Sequence, residues 1–431
     1  MNLSVIGGGW AGMACAVEAT RAGHSVTVFE AARQWGGRAR AVPATLPDGS
    51  PVLLDNGQHI LIGAYTETLA LMARVGIDAE TALQRIPLVL RFPDGGGLAL
   101  PHLPRRLDEA ARRLALPLDV LAGVLGARGW SWRDKLSLLR TSTRWQRQGF
   151  DCPRNQSVAD LCATLTPRVQ AELTEPLCLS ALNTPVAEAS GQVFLRVLDD
   201  ALFKTPGGSQ LLLPRVDLGA LFPDAADRWL RQHGARTEAG HRVRSLARDG
   251  AGWRVDGQPF DRVVLACPPW EAARLAADVA PGWAAAADGL AHEAIATVYL
   301  HADAALPAAL LALRSRPDAP AQFVFDRGRL GGPHGLLAFV VSASSADRET
   351  LQRQVLAQAR EQLGLERLRA VLTVVERRAT FACTPGLVRP PQQVAEGLLA
   401  CGDHVAGPYP ATLEGAVRSA IAAVRALDAG S

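Results

Sequence analysis

The sequence predicts an α/β fold in which a parallel, nucleotide-binding sheet is interrupted by α+β insertions. Three observations lead there. Asn2-Leu3-Ser4-Val5-Ile6 reads as a buried strand that runs into Gly7-Gly8-Gly9-Trp10-Ala11-Gly12. A helical pattern follows from Met13 to about Ala22, and Ser25–Phe29 forms a second strand ending on Glu30. Short apolar runs then return late in the chain, at 261–266 and 398–403, where a continuing sheet needs them. A strand–helix–strand unit with G-x-G-x-x-G at its first junction is a Rossmann-like signature.

Each residue of that unit has a physical task. Gly7 permits the sharp turn. Gly9 lets a pyrophosphate approach the backbone, and Gly12 lets the helix pack close to the strands. Trp10 and Ala11 lie in the turn that leads into the helix, whose N-terminus presents free N–H groups and partial positive charge to phosphate. The Glu30 carboxylate can accept both ribose hydroxyls. Gly36-Gly37-Arg38 follows by a short loop, and a forked guanidinium there reaches a pyrophosphate. Leu54-Asp55-Asn56-Gly57-Gln58-His59 comes next, after a Pro- and Gly-rich break.

Further along, residues 60–76 read as a helix. Leu88–Phe92 and Gly97–Leu100 flank Pro-Asp-Gly-Gly, which is hairpin punctuation. A helical stretch is predicted over 107–148. Within it, 128–148 carries Arg128, Arg133, Lys135, Arg140, Arg144 and Arg147 against one acid, Asp134, with Trp130, Trp132 and Trp145 interleaved. Two readings stand. It is a helix pair dipping into a membrane interface, or an amphipathic helix packed on its own domain. Residues 151–204 read as helical, with Asp199-Asp200 prominent. A helix over 218–234 precedes three short strands at 241–246, 252–255 and 261–266. Strands at 296–300, 322–325, 336–341 and 371–375 are covered by a helix over 349–363. A last strand ends at Gly402-Asp403, and Tyr409–Ala416 opens a final helix. The division that follows assigns 1–75, 205–290 and 385–431 to a discontinuous cofactor domain. It assigns 76–204 and 291–384 to a substrate domain.

Composition excludes other classes. The chain has 431 residues, 48% hydrophobic and 20% charged, which suits a globular protein of about two domains. A net charge of +3 gives no case for nucleic acid. Seven cysteines lack any C-x-x-C pair, so neither a metal site nor a disulfide framework is expected, and a reducing compartment fits. No basic leader precedes the first strand, and no apolar run reaches the ~20 residues of a membrane span. The expected location is cytoplasmic, with peripheral attachment to the inner membrane face if the first reading of 128–148 holds.

The combination of G-x-G-x-x-G, Glu30, G-G-R and D-x-G-x-H resembles the FAD-dependent amine oxidase and phytoene desaturase superfamily. That resemblance implies a Rossmann-like FAD-binding domain with an interleaved α+β substrate domain. It implies that Gly37 and Gly57 lie against the flavin and that Val243 touches the adenine. It further implies that Asp403, after Gly402, accepts the ribityl chain. Thr412 and Leu413 would then open a helix facing the isoalloxazine. A finer resemblance, to hydroxysqualene dehydroxylases of hopanoid synthesis, rests on the Pro176–Thr184 and Leu213–Leu218 runs together with both ends. It implies reductive removal of an allylic hydroxyl from a long apolar isoprenoid, with a separate reductant for FAD. Asp55, His59, Asp199 and Asp200 are the candidate proton donors. His59 is read first as a loop or flavin contact, and Asp199-Asp200 is also read as a solvated helix end. The competing functions are an oxidative carotenoid-type desaturase or amine oxidase, for which Tyr409 is a lone cage aromatic, and a non-catalytic flavin-bound scaffold.

Overall fold

Apolar runs too short for helices become strands buried on both faces when helices cover the sheet. In the computed structural model, which describes residues 1–101 and 118–429, they build a six-stranded sheet. Its order is Arg236–Ala239, Ser25–Glu30, Asn2–Ile6, Arg262–Leu265, Leu398–Ala400 and Gln393–Ala395. All neighbours pair in parallel except the last two. Helices Trp10–Arg21 and Leu413–Ala429 pack on one face, with Met13, Cys15, Val17, Val417 and Ala420 buried between them. The other face is closed by helices Pro269–Ala276 and Pro281–Asp288 and by a small antiparallel sheet carrying Trp253.

A second, five-stranded sheet is antiparallel, in the order Leu310–Ala312, Phe323–Asp326, Leu336–Ser342, His292–Ala302, Leu368–Phe381. Helix Arg348–Leu363 covers one face through Leu351, Val355 and Ala359. The hairpin Val89–Arg91/Gly97–Ala99 and strand Leu211–Pro214 lie on the other side, around Tyr299 and Phe325. A helical layer that includes Leu118–Leu125, Trp132–Arg147, Glu175–Leu182 and Gly191–Leu198 has its own core around Trp130, Trp145 and Phe194.

Several local readings change. Leu61–Ile62 is a strand, paired with Leu211–Leu212, and the helix begins only at Thr66. Leu83–Ile86 pairs with the same central strand, so this three-stranded sheet joins segments from either side of the 75/76 division. The helix expected over 218–234 is two helices, Leu218–Leu221 and Pro223–Gln232. Phe222 between them has φ −153°, because proline disfavours helical backbone in the residue before it. His241–Ser245 is not a strand. Asp256 accepts hydrogen bonds from the N–H groups of Arg244 (2.9 Å) and Ser245 (2.8 Å), which a ladder would have needed. The last strand ends at Ala400, short of Gly402-Asp403, and the final helix starts at Leu413. Of the helical stretch predicted over 107–148, residues 107–117 lie outside the described residues.

Candidate functional site

The first strand ends in a turn whose glycines are not equivalent. A Cβ on Gly12 would stand 1.8 Å from the Gly7 carbonyl oxygen, so this position serves helix–strand packing. A Cβ on Gly9 would meet nothing nearer than the Gly37 Cα at 3.9 Å. The turn is therefore open to one side at Gly9, beside the N-terminus of helix Trp10–Arg21. The side chains of Trp10 and Ala11 point into the core, and the Trp10 indole donates to the Ala39 carbonyl at 3.3 Å. What these two residues can offer a ligand is backbone N–H. Glu30 accepts the Gly8 N–H at 2.6 Å and the Ala32 N–H at 2.7 Å, and so holds the turn to the end of the second strand.

The G-G-R loop is stitched onto this turn. Gly36 N–H donates to the Gly8 carbonyl at 2.9 Å, and Gly37 takes φ +61° against Gly9. Arg38 then crosses to the far end of the chain. Its guanidinium donates to Asp403 at 2.5 Å and to the Ala379 carbonyl at 2.7 Å. Burial would raise the Asp403 carboxyl, but Arg38 and His404 outweigh it and hold Asp403 well below the usual carboxylate range. The Asp403 carbonyl accepts the Ala411 N–H at 3.2 Å, which draws in the loop before the last helix. Thr412 caps that helix by accepting the Gly415 N–H at 2.9 Å, leaving first-turn N–H groups directed outward. Gly7, Gly9, Gly37, Arg38, Gly402, Asp403, Thr412 and Leu413 thus converge. Val243 lies apart, buried beside Phe29 beyond the Glu30 end of the sheet.

Gly57 and His59 join this cluster through their neighbour Asn56. Asn56 donates to the Arg38 carbonyl at 3.2 Å and to Glu376 at 3.0 Å. His59 Nδ1 lies 2.7 Å from the Gly57 carbonyl. A carbonyl only accepts, so Nδ1 carries a proton. Burial, with Arg38 beside it, lowers the His59 pKa despite that bond, so the ring is neutral and Nε2 is an acceptor.

The carboxylates separate. Asp55 is 2% exposed, and burial pushes its pKa up to about 6 against the pull of Arg327 and the Leu218 N–H. That N–H, at 2.8 Å, starts helix Leu218–Leu221, and the Tyr299 hydroxyl donates to the Asp55 carbonyl at 2.9 Å. Asp55 is thus tied to Leu218 through its carboxylate and to Tyr299 through its backbone. Asp199 and Asp200 are both buried, not a solvated helix end, in a π-helical turn Asp199–Lys204. Lys204 pairs with Asp199 and lies 3.6 Å from Asp200. Asp200 also lies near enough to Tyr409 for its charge to act on the phenol, and its Oδ2 is buried without a partner. Burial and this carboxylate raise the Tyr409 phenol.

The model of one family, flavin containing amine oxidoreductases, matches residues 10–428. The chain belongs to that family. It is an FAD-dependent oxidoreductase, and the open Gly9 cradle beside a helix N-terminus fits a dinucleotide pyrophosphate. This flavoenzyme is similar to a hydroxysqualene dehydroxylase of Rhodopseudomonas palustris, with 29% identity over 446 residues, 97% of this chain and 96% of the other. A hydroxysqualene dehydroxylase of Sinorhizobium fredii is also 29% identical, over 454 residues and the same shares. Among solved structures, an oxidoreductase from Methanosarcina mazei shares the fold, with a TM-score of 0.72 at 15% identity, covering 99% of this chain and 100% of that one.

Sequence reasoning passed over Glu414, which is fully buried at the first turn of the last helix. It accepts from the Thr68 N–H (2.9 Å) and hydroxyl (2.6 Å), the Glu67 N–H (3.1 Å) and Arg418 (2.7 Å). It thereby ties the start of the last helix to Glu67 and Thr68. The signal was an acid in a first helical turn, which is ordinary for exposed helices. Asn56 and Glu376 were missed for a different reason, because their partners lie far away in sequence.

Proposed function

We propose that this flavoenzyme replaces the allylic hydroxyl of hydroxysqualene with hydrogen, giving squalene for hopanoid synthesis. The observation that carries the reading is the end-to-end similarity to two hydroxysqualene dehydroxylases, spanning both the Gly9 cradle and the Asp403–Leu413 segment. In this reading the first-turn N–H groups at Gly9–Gly12 and Arg38 hold the FAD pyrophosphate, and Glu30 the adenosine ribose. Val243 lies at the adenine. Asp403 takes the ribityl chain, and Gly57, Thr412 and Leu413 border the ring. The division into cofactor pieces 1–75, 205–290 and 385–431 and substrate pieces 76–204 and 291–384 belongs to the same proposal.

Reduced FAD supplies the hydride. The chain's residues must bring a proton to the departing oxygen, so that hydride and proton replace the hydroxyl and water leaves. His59, with its proton held by the Gly57 carbonyl, offers Nε2 as an acceptor and suits holding the substrate hydroxyl. The Asp55 carboxylate is engaged by the Leu218 N–H. Of the candidates, Asp200 retains an uncommitted buried oxygen beside Tyr409, and we assign proton delivery to that pair. A separate reductant must restore the flavin, since the reaction consumes a hydride each turn.

The test is anaerobic turnover of hydroxysqualene in detergent with pre-reduced enzyme. Squalene should accumulate, and Asp200→Asn should keep its flavin while losing most of the rate. A more unsaturated product formed only with oxidised flavin would establish a desaturase instead. Absence of any product would leave the scaffold reading.

A further inference from the structure

Helices Leu118–Leu125 and Trp132–Arg147 each have two apolar faces. The inner one, with Val124, Leu138 and Trp145, is buried in the helical core together with Trp130 from the connection between the helices. Trp130 is anchored there by a 2.8 Å hydrogen bond from its indole to Glu172. Two of the three tryptophans of this stretch are therefore core residues, and only Trp132 is available to a partner.

The outer face is different. Leu118, Leu121 and Leu125 recur at one face of the first helix and are 37%, 42% and 43% exposed. Trp132 and Leu136, one turn apart on the second helix, are 68% and 44% exposed. Lys135 joins the two helices. Its ammonium donates to the Leu125 carbonyl at 2.6 Å and sits 5.3 Å from the Trp132 ring centroid. The five apolar side chains are thus neighbours on one surface, and they are most of the large exposed apolar groups among the described residues. A clustered patch of this kind marks a contact surface.

Charge selects the partner. Arg128, Arg133, Arg140, Arg144 and Arg147 are all exposed and form no ion pair with a described residue. The one acid of the second helix, Asp134, is buried in a capping box with Ser131 and also accepts from Thr166. The patch is therefore apolar at its centre and cationic around it, and among the described residues none of these arginines is neutralised by an ion pair. No helix among the described residues is long and apolar enough to cross a membrane. We infer that this face docks on the surface of an anionic lipid bilayer. Trp132 and the leucines enter the acyl boundary, and the arginines extend to lipid phosphates.

The experiment is flotation of the flavin-loaded protein with two kinds of vesicle. One is phosphatidylcholine containing phosphatidylglycerol, and the other is phosphatidylcholine alone. The protein should float with the first, poorly with the second, and less as salt rises. The triple variant Leu125→Ser, Trp132→Ser, Leu136→Ser should abolish flotation while turnover in detergent is unchanged. Arg133→Glu and Arg140→Glu should each weaken binding roughly fivefold. Val388→Ser, at an exposed valine outside the two helices, should change nothing. Quenching of tryptophan fluorescence by bromine-labelled acyl chains should drop in Trp132→Phe. Flotation that survives the triple variant would overturn the inference. So would a triple variant that alters only sedimentation, since the face would then bind a second copy of the chain.

Discussion

Glu30 and Asp55 are both acids at the end of a strand, and they find their partners very differently. Glu30 accepts N–H groups from Ala32 and Gly8, two and 22 residues away. Asp55 accepts from Leu218, 163 residues away, and its backbone meets Tyr299, 244 residues away. The glycine turn is a local device whose parts lie within one strand–helix–strand unit. The acid-bearing side is assembled by the five-stranded sheet and the strand Leu211–Pro214 closing around it. A residue type in a local device announces its task, whereas Asp55 could be a proton donor or a buried tie until its neighbours are in place.

The comparison is broken most severely within the turn itself. Gly12→Val should prevent folding, since its Cβ collides with the Gly7 carbonyl and no flexible group can yield. Gly9→Val has room in the protein and should fold, yet lose FAD by roughly 100-fold, about 3 kcal/mol of binding. Circular dichroism and flavin absorbance on both variants separate the outcomes. A Gly9→Val protein with full flavin content would refute the cradle.

Arg38→Ala tests the long-range half of the same site. Removing one member of a mostly buried ion pair should cost about 3 kcal/mol, because Asp403 keeps a charge without its partner. The sign with pH follows from the direction of the shift. Asp403 is held below its unfolded value, so its contribution is full above the ordinary carboxylate range and is lost as pH falls from that range through the lowered folded value. Thermal melts from neutral pH downward should therefore converge for wild type and variant. A gap that stays constant would show that the pair is not coupled to folding.

The smallest effect is expected at Asp55. Its pKa is raised to about 6, so the folded state holds the proton more firmly than the unfolded chain. Its contribution is full below the unfolded carboxylate range and is lost as pH rises through about 6. Asp55→Asn keeps an acceptor for the Leu218 N–H and should flatten stability between those limits, with turnover largely retained. Asp55→Ala leaves that buried N–H unpaired and should cost about 1–3 kcal/mol at neutral pH. Loss of turnover in Asp55→Asn, with flavin and stability intact, would return Asp55 to the role of proton donor.

Much of the sheet was legible. The first two strands, the hairpin near Gly97, the helix over 349–363 and the central strands of the second sheet carry strong period or punctuation. Arg236–Ala239 was not, since Arg-Thr-Glu-Ala has no apolar alternation. It is a strand because the edge of Ser25–Glu30 offers it a ladder. Leu310–Ala312 was passed over because three residues are too few for a period. His241–Ser245 looks like a strand by composition, and Asp256 takes its N–H groups instead. Among candidate site residues, His59 was readable as a type. Its tautomer needed the Gly57 carbonyl.

By itself the sequence determined the glycine turn, the acid after the second strand and the parallel unit that binds a dinucleotide. These follow from steric and hydrogen-bonding rules acting over a few tens of residues. It also placed tryptophans and arginines together near 130, but not which of them face water. Only the tertiary structure decided that Trp130 and Trp145 are buried while Trp132 is exposed. Likewise it decided that Arg38 meets Asp403 and that Asp55 supports Leu218. Helical period assigns faces, but what covers each face depends on chain hundreds of residues away. A buried charge takes its function from whichever partner that packing delivers.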